Sequence, residues 1–269
     1  MNIDSQLDIF LFRFLEEFGY DFTGYSRDSI QRRIFRIMSI WKVSDLEELL
    51  DKMLMKKTLA EDFVQQVTVP LTTMFRDPDF FVSLRQHVVP YLSTFPLIRV
   101  WVAGCSTGEE AYSIGILLNE SGLLERSLIY ATDLNPVSVE RASNGMFPLE
   151  SLGEFAENYV SSGGKRALSD YYSRKLGSFG FNDELRSRMV FSTHNLACDS
   201  SFNSFQLILC RNVLIYFRRS LQESVLELFH TSLENGGFLC LGPKETLLFS
   251  SLKDRFQQVG DQKIWRKLN

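Results

Sequence analysis

Hydrophobic positions divide this chain into two regimes. Residues 1 to about 95 carry apolar side chains at helical spacing. In SIQRRIFRIMSIW, Ile30, Ile34, Ile37, Met38 and Trp41 form one apolar stripe, and Arg32, Arg33 and Arg36 take the opposite side. SDLEELLDKMLMKK opens with a capping box, Ser44 to Glu47, and closes on Lys56 and Lys57, where the helix dipole favours cations. Beyond this helical region the short apolar runs IRVWVAG, LIYATDL, MVFSTHN, FQLILCRN and GFLCLG alternate with longer amphipathic stretches. Nearly continuous apolar strands separated by helices predict a parallel sheet covered on both faces. Asn135-Pro136 supplies a cap and a first-turn proline for the helix after the second strand, and Gly145 ends it. The stretch YVSSGGKRALSDYYSRKLGSFGFNDELRSRMVF breaks the alternation and reads as an insertion, a small antiparallel sheet. No repeat or low-complexity segment interrupts the pattern.

Composition narrows the class. With 269 residues, 45% apolar and 23% charged, the chain has enough apolar material for a substantial core and is not a disordered type. A net charge of −4 argues against bulk affinity for nucleic acid or acidic lipid. No apolar run is long enough to predict a membrane span. The N-terminal MNIDSQLDIFLFRFLEEF is too acidic and amphipathic for a secretory signal. Cys105, Cys198, Cys210 and Cys240 show no metal-binding spacing; each lies in or beside an apolar run and is expected to be a buried reduced thiol, in a cytoplasmic protein without a metal site.

The chemistry concentrates at strand ends. VWVAGCSTGEEAYS runs a strand through a small-residue turn into a helix, the place where an open α/β sheet binds its ligand. Gly104, Ser106 and Gly108 allow a ligand close to the backbone. Glu109 and Glu110 stand where a dinucleotide would put its pyrophosphate, and they would repel it. A nucleoside with hydroxyls and positive charge fits instead, and S-adenosylmethionine is such a ligand. Asp133 at the end of the second strand is placed to accept hydrogen bonds from ribose hydroxyls. Taken singly, the glutamates also fit as first-turn acids that favour the dipole, and Asp133 as a loop acid. Asn195-Leu196 and Asn212-Val213 follow two further apolar runs and offer amides for an adenine edge or amino-acid head group, with apolar side chains for a purine face.

At these residues the sequence resembles the chemotaxis receptor methyltransferases, the CheR family. The resemblance covers nearly the whole chain and is carried by TTMFRDPDFF, WVAGCSTGEEAYSI, ATDLNPVSVERASNGMF, HNL, LILCRNVLIYF and GGFLCLGPKETL. It implies an all-α N-terminal domain, residues 1–85, then an α/β methyltransferase domain, residues 86–269. The second domain is a class I S-adenosylmethionine-dependent doubly wound sheet with a small β-subdomain inserted near 160–190. It further implies cofactor contacts at Thr72, Arg76, one of Glu109 and Glu110 (with Glu110 preferred), Asp133, Asn195-Leu196 and Asn212-Val213, beside the turn at Gly104. Family members often carry Asn where this chain has Pro70, which removes one contact.

The implied reaction is methylation of glutamate side chains on the cytoplasmic helices of chemoreceptors, leaving S-adenosylhomocysteine. A carboxylate, with a pKa of about 4.3, is already ionised and needs no general base. Arg76 and Tyr216 are the expected aligning residues. His87, His194 and His230 read as structural. The Arg32, Arg33 and Arg36 side is either a solvated face or, as in the family, a docking surface for an acidic receptor bundle. The insertion, with Lys165, Arg166, Arg174 and Lys175, is where the family grips a receptor tail by strand addition. Two alternatives share the cofactor site: a non-catalytic regulatory module, and a methyltransferase with another protein or a small molecule as substrate.

Overall fold

The structure, a computed structural model, describes residues 3–68 and 72–268; Pro70 lies outside the described residues. Helices α1 (Ile3–Phe18), α2 (Arg27–Trp41), α3 (Leu46–Met55) and α4 (Thr58–Val67) form the first part of the chain. The predicted stripe of α2 is inside at Ile30, Ile34 and Ile37, while Met38 and Trp41 are half-buried. The cap of α3 falls one residue later than its pattern predicts. Asp45, in extended conformation, accepts from the amides of Glu47 and Glu48 at 3.0 and 2.8 Å, and Glu48 returns the bond to the Ser44 amide at 2.7 Å. An ionised acceptor satisfies the free amides better than a hydroxyl does.

Helices α5 (Pro78–Ser83) and α6 (Val89–Leu92), joined by a π-helical turn, lead into a seven-stranded sheet. Its strands are β1 (Ile98–Ala103), β2 (Ser127–Asp133), β6 (Met189–Thr193), β7 (Phe205–Cys210), β8 (Leu233–Leu241), β9 (Phe256–Gln258) and β10 (Ile264–Lys267). The order is β6-β2-β1-β7-β8-β10-β9, parallel except where β10 pairs with its two neighbours. Strand order reverses at β1: the chain steps outward to β2 and β6, then returns to β7 on the other side of β1. That reversal opens a crevice at the carboxyl ends of the strands. Helices α7 (Glu109–Glu120), α8 (Pro136–Asn144) and α11 (Arg219–Ser232) connect the strands.

Both faces of the sheet are covered, with a period of two along each strand. Trp101 and Ala103 of β1 join a core shared with α1–α4, whereas Val100 and Val102 join one shared with α7 and the inserted subdomain. The N-terminal helices therefore share the core on one side of the sheet, to which α11 also contributes. Asn135 caps α8 by accepting from the Val137 and Ser138 amides, and Gly145 closes the helix at φ 61°, as predicted.

The insertion is an antiparallel sheet of β3 (Met146–Pro148), β5 (Ser178–Phe181) and β4 (Tyr172–Lys175), in that order. The 160–190 stretch supplies two of these strands; the third precedes α9 (Leu152–Ser161), and α10 (Asp183–Arg186) leads back to the main sheet. One thiol departs from expectation. Cys105, Cys210 and Cys240 are buried, but Cys198 is exposed because it lies in the turn after β6 and not in the strand.

Candidate active site

One cavity lies at the carboxyl ends of β1, β2, β6 and β7, and every segment around it has a physical reason for its shape. Gly104 follows β1 at φ 77°, and its amide and that of Cys105 donate to the Thr132 carbonyl of β2. A Cβ on Gly104 would sit 2.4 Å from Val213 Cγ2, so only glycine lets the turns after β1 and β7 touch. Asp133 ends β2 half-buried, at the lining of the cavity. One carboxylate oxygen accepts from the Ser106 amide at 2.8 Å and the other from the Asn135 amide at 2.9 Å. Burial raises its pKa, and these amide bonds hold it back.

The two glutamates separate. Glu110 lines the cavity. Glu109 corrects the expectation of a paired site: it turns into the protein, is 7% exposed, and accepts from Thr107 Oγ1 at 2.9 and 2.7 Å. Successive helix positions point about 100° apart, so one acid faces the ligand side and the other the core. Burial pushes the Glu109 carboxyl up to about 7.

Arg211, immediately after β7, neutralises Glu110. Its guanidinium is buried and reaches Glu110 and Asp77 at 2.7 Å each, donates to the Arg76 carbonyl at 3.2 Å, and lies 4.0 Å from the Phe80 ring centroid. The cavity is therefore not uniformly acidic, and Asp133 carries more of the argument against a diphosphate than the glutamates do. The Arg76 turn itself is strained: Phe75 and Asp77 on either side have φ of 50° and 57°. The Phe75 amide is held by Ser113 Oγ of α7 at 2.9 Å, so helix, turn and Arg211 fix one another.

The expected residues Thr72, Arg76, Gly104, Glu110, Asp133, Asn195, Leu196, Asn212, Val213 and Tyr216 all line this cavity. So do three that sequence reasoning did not assign to it: Tyr25, Arg33 and Thr68, from the N-terminal helical part. Arg33 corrects the expectation of an exposed basic face. Its guanidinium donates to the Val67 carbonyl at 2.6 Å and lies 4.5 Å from the Tyr216 ring centroid, whereas Arg32 and Arg36 are exposed. The chain at Tyr25 forms an antiparallel bridge with Phe217, and the Ser26 amide donates to the Tyr216 carbonyl at 2.7 Å. The helical part is thus pinned to the turn that bears Tyr216. His194 also reaches the cavity, stacked edge-on against Trp101.

Three buried atoms of the lining, Ser106 Oγ, His194 Nδ1 and Arg211 Nε, have no hydrogen-bond partner among the described residues. Buried polar atoms are nearly always bonded, so these mark a polar ligand. Carboxylate, hydroxyl, two side-chain amides and the apolar Leu196 and Val213 suit a nucleoside that carries an amino-acid group.

Comparison with known proteins agrees. Residues 70–264 match the family model described as the SAM-binding domain of CheR methyltransferases, and residues 7–68 match the all-alpha domain of the same family. This chain belongs to the CheR methyltransferase family. It is 45% identical to "Putative methyltransferase Cher3" of Pseudomonas putida over 267 residues, covering 99% of this chain and 98% of that protein. It is 30% identical to the "Chemotaxis protein methyltransferase" of Listeria innocua, covering 86% of each chain. It is also 30% identical to "Chemotaxis protein methyltransferase 1" of Pseudomonas aeruginosa, covering 86% of this chain and 85% of that one. The cofactor of this CheR protein is S-adenosylmethionine, and the residues of the cavity fit it. No described helix is long and apolar enough to cross a membrane.

Arg211 was detectable in part, and Arg33 was not. A charge directly after the mostly apolar strand FQLILC must be paired if buried, which marks Arg211. Nothing local distinguishes Arg33 from Arg32.

Proposed function

We propose that this protein methylates glutamate side chains on the cytoplasmic helices of chemoreceptors, with S-adenosylmethionine as methyl donor. The observation that carries the reading is the lining of one cavity by Asp133 and Glu110 together with Arg33, Arg76 and Tyr216. Such a site suits a cationic nucleoside and an anionic acceptor at once. The names of the chemotaxis relatives support the receptor as substrate.

In this reading Asp133 accepts from the ribose hydroxyls, and Asn195, Leu196, Asn212 and Val213 receive the base. Thr72, Glu110 and the turn at Gly104 border the rest of the cofactor. When bound, the cofactor supplies a methyl carbon activated by its sulfonium. The acceptor carboxylate is ionised at neutral pH, so no residue has to remove a proton. Arg76 presents a planar fork that aligns that carboxylate, which a lysine could not do as well. Arg33 adds a second cation, and the Tyr216 hydroxyl donates to the acceptor oxygen that does not react. Holding both partners in line in a water-poor cavity supplies the rate, an effect of about 7–11 kcal/mol at its limit.

The β4 strand is an edge of the small sheet, with Arg174 and Lys175 exposed, and is where a receptor tail would add as a further strand. The test is incubation with tritiated S-adenosylmethionine and membranes bearing candidate receptors. Base-labile label on the receptor supports the reading. Cofactor binding without any transfer supports the alternative of a regulatory module.

A further inference from the structure

Glu245 follows β8, does not line the cavity, and is 5% exposed. Its carboxylate spans the turn after β7. One oxygen accepts from the Val213 and Ile215 amides at 2.9 and 3.3 Å, and the other from the Asn212 and Gly242 amides at 3.0 and 2.6 Å. No ion pair joins it among the described residues, so the backbone alone satisfies this buried anion. Convergent amides of this kind form a nest, a concavity that takes an anion. Asn212 stands at φ 62°, in the left-handed region that asparagine tolerates better than most side chains. Gly242 completes the fit. A Cβ there would lie 2.7 Å from the Glu245 carboxylate and 2.8 Å from the Asn212 amide.

We propose that Glu245 is a positioning residue: its carboxylate fixes the turn that presents Asn212 and Val213 to the cofactor. The proposal rests on the reading of the cavity given above. Charge and geometry are both required. Glutamine is the same size, but either orientation of its amide turns an N–H₂ toward two amide N–H groups, so donor meets donor and the nest opens. Aspartate keeps the charge and falls one methylene short.

The test is calorimetric titration of S-adenosylhomocysteine into wild type, Glu245→Gln, Asn212→Gly and the double variant. Asn212→Gly removes the side chain yet tolerates the positive φ. The expected result is about a tenfold or greater rise in Kd for Glu245→Gln, with the double variant weaker by less than the product of the two single effects. A Glu245→Gln protein that is less heat-stable yet binds within about twofold of wild type would overturn the proposal, since the carboxylate would then serve stability alone. Independent effects that multiply would overturn it as well. Wild type that fails to bind S-adenosylhomocysteine sinks the cavity reading itself, which is a separate result. Hydrogen exchange on the wild type gives a measurement that does not depend on a variant folding. The amides of Asn212, Val213 and Ile215 should be protected before ligand is added; protection that arises only with ligand contradicts a turn preset by Glu245.

Discussion

The Arg33 guanidinium lies over the Tyr216 ring, 4.5 Å from its centroid. The contact joins α2 to the turn after β7, and it puts a cation from the helical part next to a candidate aligning hydroxyl. Arg33→Ala should therefore lower kcat/KM for receptor by about tenfold or more, an exposed-to-desolvated cation–π pair and a lost carboxylate partner acting together. Affinity for S-adenosylhomocysteine should stay within about threefold, because Arg33 is assigned to the acceptor and not to the base in the proposed mechanism. Steady-state kinetics and calorimetry on one preparation separate the two effects.

Arg76→Lys tests alignment directly. The charge is kept and the planar fork is lost, so kcat should fall on the order of 10²-fold, the scale expected from misplacing a reacting group. The melting temperature should change little, since the turn is held by Arg211 and Ser113 through backbone atoms. Wild-type turnover in this variant would remove Arg76 from its role.

Asp133→Ala should weaken S-adenosylhomocysteine binding by about 1–3 kcal/mol, the usual scale for hydrogen bonds to a charged acceptor. Part of the loss comes from the Ser106 and Asn135 amides that the carboxylate now holds. Calorimetry reads it, and unchanged affinity would refute the assignment.

Glu109 makes stability depend on pH. Its pKa is pushed from 4.5 to about 7 by burial, so the folded protein holds a proton that the unfolded chain releases earlier. A raised folded-state pKa contributes stability that is full below pH 4.5 and is lost as pH rises through about 7. Glutamine mimics the protonated acid. Glu109→Gln should match wild type near the lower limit of that window and exceed it by roughly 3 kcal/mol above the upper limit. Chemical denaturation across that range checks this; a difference that does not vary with pH would contradict it.

Much of the fold could be read from the sequence because its signals are local. β1, β2, β7 and β8 are largely buried and appear as apolar runs, the edge strand β6 shows an apolar start although it is mostly exposed after Met189, and α8 carries its own cap and stop. β9 and β10 escaped notice because FQQ and IWRK are too short to show a period. The strand-end residues Asp133, Asn195 and Asn212 were legible because topology sends strand ends to the ligand. Arg33 and Glu245 were not. Helical periodicity shows that Arg33 lies away from the stripe, but not that the cavity waits on that side. Glu245 accepts from amides of Asn212, Val213 and Ile215, which lie 33, 32 and 30 residues away across α11 and β8, a relation that no spacing encodes. The choice between Glu109 and Glu110 required the actual rotation of α7.

The most direct test of the account is to locate the methyl group. Receptor methylated by this protein would be digested under mildly acidic conditions and mapped by tandem mass spectrometry. The account predicts methyl esters on glutamate side chains of the cytoplasmic helices, present with wild type and strongly reduced with Arg76→Lys. Methyl groups on lysine, arginine or a small molecule, or esters formed equally well without the Arg76 fork, would contradict it.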